Sequence, residues 1–379
     1  MSRHSRLRQL LHRLPDLSDQ ERDTSRTVYA HLEQLHPDTL LSGLGGFGLA
    51  AVYKGKQDGP RVLVRCELDA LPITETLDIP YRSEVKGVSH KCGHDGHMTM
   101  VAGLAERLHE QRPERGSVVL LFQPSEETGE GAQRVLEDAQ FAQVTPEFAV
   151  AIHNLPGFPR GQVVLSKGAF ASASSGLKIR LQGKTSHAAQ PEAGRSPALA
   201  VSQLIAGLSA LPQFRTALHE PAQVTVVHAR LGEIAFGTSP GDGHVMATLR
   251  AHSPAVIQLL AEEAVAMSEN IARTYGLTAS SEFTQVFPAT VNDKQVTALV
   301  ETCAQETGLE IHRPDTPFAW SEDFGHFTSR YRGALVGLGA GETCPPLHHP
   351  DYDFPDELLE PGINLLERVT RKLLEQQDV

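Results

Sequence analysis

Several apolar runs in this chain end in residues able to bind a metal or move a proton. Glu67 and Asp69 follow RVLVRC (61–66), Glu126 and Glu127 follow SVVLLFQPS (117–125), and His153 follows FAVAI (148–152). His348 and His349 lie ten residues past ALVGL (334–338). A fifth cluster, Cys92-Gly93-His94-Asp95-Gly96-His97, stands just ahead of a helical pattern that starts near Met98. Thiolate, imidazole and carboxylate together suit zinc or another borderline divalent ion. Glu126 and Glu127 are neighbours, so in extended backbone they point to opposite sides, one free to hold metal and the other to face substrate. Two carboxylates side by side also repel unless a cation or a shared proton relieves them.

Taken singly, these residues have blander readings. Cys92 and His94 equally suit a buried thiol and a helix-capping imidazole, and His153 a satisfied core histidine. His348 and His349, in CPPLHHPDYDF, suit exposed loop polars, although Pro346 and Pro350 stiffen that loop. His187, in GKTSHAAQP, reads by itself as a polar loop residue, and Arg250, closing HVMATLR, as a solvated strand end. The combination is what points to a site, because ligands of open α/β sheets bind beyond the carboxyl ends of the strands.

The elements that must position these residues follow from the apolar pattern. Near-continuous apolar runs alternating with helical stretches such as MTMVAGLAERLHEQ (98–111) predict an α/β domain with a largely parallel, doubly covered sheet. Residues 174–287 read differently, in the order β-α-β-β-α-β of a ferredoxin-like split motif. They are expected to form an inserted satellite domain, leaving 1–173 and 288–379 as a discontinuous catalytic domain. The basic start predicts an amphipathic first helix with Leu7, Leu10, Leu11 and Leu14 on one face.

Composition bounds the rest. The 379 residues leave room for two or three domains, and a net charge of −12 without a dense Lys/Arg block argues against nucleic acid as a partner. No run approaches the roughly 18 apolar residues of a membrane span, and no signal-peptide apolar region is visible. Four scattered cysteines are too few for a disulfide framework, so a reducing, cytoplasmic compartment is expected.

RCELDALPITE, SHKCGHDGH, FQPSEETGEGA, AIHNLP, GKTSHAAQP, WSEDFGHF and PPLHHPDYDF stand in an order and spacing that resembles the M20 metallopeptidase family. The resemblance is to its amidohydrolase branch of hippurate hydrolases, N-acyl-amino-acid amidohydrolases and indole-acetyl-amino-acid hydrolases. It extends over essentially the whole chain. It implies a metallopeptidase-like catalytic domain with a satellite dimerisation domain, a homodimer, and two divalent metal ions (zinc, manganese, cobalt or nickel). It further implies Cys92 as a bridging thiolate, His94, Glu127, His153 and His348 as the other ligands, and Glu126 as general base. Asp69 would orient the site, His187 would reach substrate across a dimer interface, and Arg250 would bind a substrate carboxylate. The implied reaction is hydrolysis of an N-acyl amino acid or dipeptide-like amide. A dipeptidase or aminopeptidase-type activity, or a catalytically silent ligand-binding relative, is the alternative. Two positions depart from the family pattern: Glu67 replaces a usual Asp, and FGTSP (236–240) replaces a usual Asn-Val-Ile-Pro.

Overall fold

The computed structural model of the protein describes residues 2–166 and 168–376. They divide into two compact units, one formed by Ala171–Ala289 with Phe318–Ser321 and the other by the remainder. In chain order the main elements are α1 (Arg3–Arg13), α2 (Arg22–Glu33), β1 (Thr39–Leu44), β2 (Gly48–Lys54), β3 (Gln57–Glu67), α3 (His94–Glu110), β4 (Arg115–Gln123), β5 (Phe148–Pro156) and β6 (Val163–Val164). They continue with β7 (Ala173–Gln182), α4 (Ala198–Arg215), β8 (Ala222–Leu231), β9 (Asp242–Ala251), α5 (Pro254–Thr274) and β10 (Thr278–Phe287). The last are α6 (Lys294–Glu306), β11 (Ile311–His312), β12 (Arg332–Gly341) and α7 (Leu359–Leu374).

The larger unit is built on a sheet of order β1-β2-β4-β3-β5-β12-β6-β11 among the described residues. Its centre, β4-β3-β5-β12, is parallel, and β1 and β2 extend it antiparallel. Val62, Leu63 and Val64 are all fully buried, so both faces of β3 are covered, as an apolar run without alternation requires. Helix α3 packs against α1 and α7, and its residues join β3, β4 and β5 in one hydrophobic core.

The smaller unit has a four-stranded antiparallel sheet of order β8-β9-β7-β10. Here burial alternates along β9, as expected of a sheet with one face on a core. That core is made with α4 and α5.

Three local expectations need correction. Helix α3 begins at His94 rather than near Met98, because Gly93 caps it in the left-handed region (φ 91°). A Cβ at Gly93 would lie 2.3 Å from Asn154 Oδ1, so the tight start also needs the missing side chain. His153 lies inside β5 and not after it. Helix α1 buries Ser5, Arg8, Leu11 and His12, whereas Leu10 and Leu14 are exposed, since the charged residues find buried acidic partners that the apolar pattern does not reveal. No helix among the described residues is long and apolar enough to cross a membrane.

Candidate metal centre

The parallel strands deliver their carboxyl ends to one place. Asp69 follows the end of β3, Glu126 and Glu127 follow β4, His153 lies late in β5, and α3 starts with His94. The backbone turns left-handed at Ser125 (φ 53°), immediately before the two glutamates, and again at His348 (φ 65°). Non-glycine residues in that region need support from their surroundings and cluster at functional sites. Ser125 has it, since its N–H and hydroxyl donate to Glu21 Oε1 at 2.8 and 3.1 Å. The His348 N–H donates to the carbonyl of Lys91, at 2.8 Å.

Backbone carbonyls orient two imidazoles. His94 Nδ1 donates to Asp69 O and His153 Nδ1 donates to Asn154 O, both at 2.8 Å. A carbonyl only accepts, so each ring presents Nε2 as a ligand atom. His94 Nε2 faces Glu127 Oε1 at 3.8 Å and Glu126 Oε2 at 3.9 Å, and His153 Nε2 lies 3.6 Å from Cys92 Sγ. His348 Nε2 is 3.6 Å from Glu127 Oε1. Asp69 in turn accepts from the Ser18 hydroxyl and the Glu127 N–H, at 2.8 and 3.0 Å.

These contacts sort into donor groups whose ligand atoms lie within 4.8 Å of one another: Cys92, His94 and His153; Cys92, Glu127 and His348; His94, Glu126 and Glu127. Glu67, His94 and His97, and Glu126, Glu322 and Asp323, form two further groups, and two of the five share Cys92. His94 Nε2, Asp69 Oδ1 and Glu127 Oε1 are buried without a hydrogen-bond partner among the described residues. Electrostatics point the same way. Burial, then the charges of Glu322 and Glu127, push the Glu126 carboxyl well above its ordinary range. Burial likewise raises Glu127 to about 7 against the pull of His94. Sulfur, nitrogen and oxygen donors with unsatisfied atoms and crowded acids are relieved by divalent cations, so these residues fit the metal that the sequence implies.

Beneath the acids lies a buried polar network, in which the sequence pattern points to Glu67 and His97 but not to Arg65 or Gln123. Arg65 on β3 pairs with Glu67, Asp323 and Glu322, and Gln123 donates to Asp323 Oδ2 at 2.8 Å. The Asp323 N–H reaches Glu126 Oε1 at 3.4 Å. Glu67 Oε2 also accepts from His97 Nδ1 at 2.7 Å, and His97 Nε2 lies 2.5 Å from Asn154 Oδ1. An arginine inside the apolar run RVLVRC was the available signal, since a buried guanidinium demands acids.

His187 and Arg250 belong to the smaller unit. His187 is exposed on the short strand Ser186–His187, paired with Thr238–Ser239 inside the divergent 236–240 segment. Arg250 Nη1 donates to Ala319 O and Ser321 Oγ, each at 3.2 Å.

The family model for Peptidase family M20/M25/M40 matches residues 63–372. The chain belongs to this family. It is 29% identical over 377 residues to an N-acetyl-L-cysteine deacetylase of Bacillus subtilis, covering 98% of this chain and 88% of that one. It is 31% identical over 385 residues to IAA-amino acid hydrolase ILR1-like 5 of Arabidopsis thaliana, covering 97% and 86%. Among solved structures, a Bacillus subtilis protein described as a dinuclear metal-binding peptidase from the M20 family superposes with a TM-score of 0.83 at 26% identity, covering 99% and 98%. The M20 protein is accordingly a metal-dependent amidohydrolase, with divalent metal ions as cofactors.

Proposed function

We propose that this M20 amidohydrolase cleaves the amide bond of N-acyl amino acids at a dinuclear centre. The observation that carries the reading is the pair of donor groups sharing Cys92, one completed by His94 and His153 and the other by Glu127 and His348. Glu126 stands beside them as a member of neither. The named deacetylase and amino-acid-conjugate hydrolase relatives support the substrate class. The donor set suits zinc, and its carboxylate share also admits manganese, cobalt or nickel.

Two divalent ions bound here would supply Lewis acidity and lower the pKa of water toward neutrality. Glu126 takes a proton from the attacking water and returns it to the leaving amine. Asp69 holds His94 in the tautomer that presents Nε2. The smaller unit acts as the satellite domain of a homodimer, in which His187 of one copy stabilises the oxyanion formed in the other. Arg250 binds the substrate carboxylate. The reading includes a cytoplasmic location, supported by the scattered free cysteines and by a reducing environment that would keep Cys92 able to ligate.

The roles of the adjacent acids are separable. Glu126→Gln should lower turnover by about 10²–10⁴-fold with metal content unchanged, whereas Glu127→Ala should lose metal. A Glu126→Gln protein as active as its parent would remove the general-base assignment.

A further inference from the structure

Helix α1 turns two charged side chains into the protein while leaving Leu10 and Leu14 outside. Arg8 is 1% exposed and His12 fully buried. His12 bridges two acids, with Nδ1 2.8 Å from Asp95 Oδ2 and Nε2 3.0 Å from Glu75 Oε1. Asp95 directly follows His94 and is itself fully buried, its Oδ1 accepting from the Gly96 N–H at 3.0 Å. Glu75 Oε1 also accepts from Lys91 Nζ at 2.6 Å, and Lys91 directly precedes Cys92. The Lys91 carbonyl holds the His348 N–H, while Lys91 Nζ donates to the Tyr352 carbonyl at 2.7 Å. Arg8 closes the set from the other side. Its Nη1 lies 3.4 Å from Asp95 Oδ2 and 2.7 Å from Asp353 Oδ1, and its Nε lies 2.7 Å from Asp356 Oδ1.

The contacts of α1 thus reach toward three proposed ligands: directly to Asp95, next to His94, through Glu75 to Lys91, next to Cys92, and to Asp353, five residues beyond His348. Helix α1 does bury Leu11 in the core, but burying Arg8 and His12 as well costs a charge desolvation that core packing alone does not require. The acids that α1 meets come from three stretches of sequence: Asp95 adjoins His94, Asp353 and Asp356 follow the His348 loop, and Glu75 binds the lysine that precedes Cys92.

We propose that Arg8 and His12 are positioning residues of the metal centre, holding the 91–95 segment and the His348 loop at the spacing where their donors meet. The inference rests on the dinuclear reading given above. It assigns the first helix a part in metal affinity, although neither residue touches a donor atom.

The test uses the full-length protein loaded with cobalt, reading affinity by chelator competition and the thiolate-to-cobalt absorption band. His12→Leu should weaken cobalt binding by about 10–100-fold, the range typical of groups that orient ligands, and should weaken or shift the band. His12→Asn, whose amide nitrogen can replace Nδ1 toward Asp95, should recover most of both. Leu11→Ala, a buried neighbour on the same helix, should lower the thermal midpoint and leave affinity and band at parental values. If His12→Leu does not fold, His12→Gln, which keeps only the Glu75 side of the bridge, takes its place in the comparison with His12→Asn. Parental affinity and band in His12→Leu or its substitute, or equal losses in Leu11→Ala, would overturn the positioning role. A parent protein that takes up no cobalt would instead overturn the metal-centre reading beneath it.

Discussion

His348 and His349 are adjacent, and their surroundings separate them. His348 joins Cys92 and Glu127 in a donor group, whereas His349 Nδ1 accepts the Asp351 N–H at 3.2 Å in its own loop. His348→Ala should therefore weaken metal binding by at least about tenfold, while His349→Ala should stay within experimental error; metal titration of the two proteins checks this. Residue types pointed to Glu126, Glu127 and His153 from the ends of apolar runs and to Cys92 and His94 from the loop ahead of a helix, and the structure gathers their ligand atoms into groups within 4.8 Å. Choosing between the two loop histidines needed the family pattern. Arg65 and Asn154 stayed hidden. Apart from Glu67, two residues from Arg65, their partners are remote in sequence, Glu322 and Asp323 for Arg65 and His97 and Tyr352 for Asn154, and nothing local in RVLVRC or HNLP names them.

At the level of elements, apolar runs disclosed the central strands, since parallel strands covered on both faces lose the alternation that would blur them. The same reasoning misjudged α1, because periodicity counts leucines and cannot see that Asp95, Asp353, Asp356 and Glu75 make burial of Arg8 and His12 tolerable. The structure adds a pH signature to that helix. Burial pulls the His12 imidazole down, but its hydrogen bonds to Asp95 and Glu75 override this and push it up from 6.5 to about 9. Arg8 opposes the charge, Asp353 Oδ1 stands 4.0 Å away, and the Tyr81 ring packs edge-on. A pKa raised on folding stabilises fully below the unfolded value and is lost as pH rises through the folded one. The His12 contribution, on the order of 3 kcal/mol, is thus present below pH 6.5 and disappears through about pH 9. Urea unfolding across that window should show the parent losing stability relative to His12→Gln. A difference that stays flat would contradict it.

For the whole molecule, the proposed assembly places His187 of one copy at the centre of another. Mixing inactive His187→Ala and Glu126→Gln proteins should then restore part of the activity in hybrid dimers, which contain one intact site. No recovery after demonstrated subunit exchange would remove the cross-subunit role. The divergent 236–240 segment pairs with the strand carrying His187. The central claim is metal-dependent hydrolysis of blocked amino acids. Its most direct measurement is amine release from N-acetyl, N-benzoyl and N-indoleacetyl amino acids and from unblocked dipeptides, using chelator-stripped protein before and after reloading with zinc, manganese, cobalt or nickel. The expected result is release from blocked substrates that appears only on reloading. Release from unblocked dipeptides alone, or release that metal does not affect, would contradict the account.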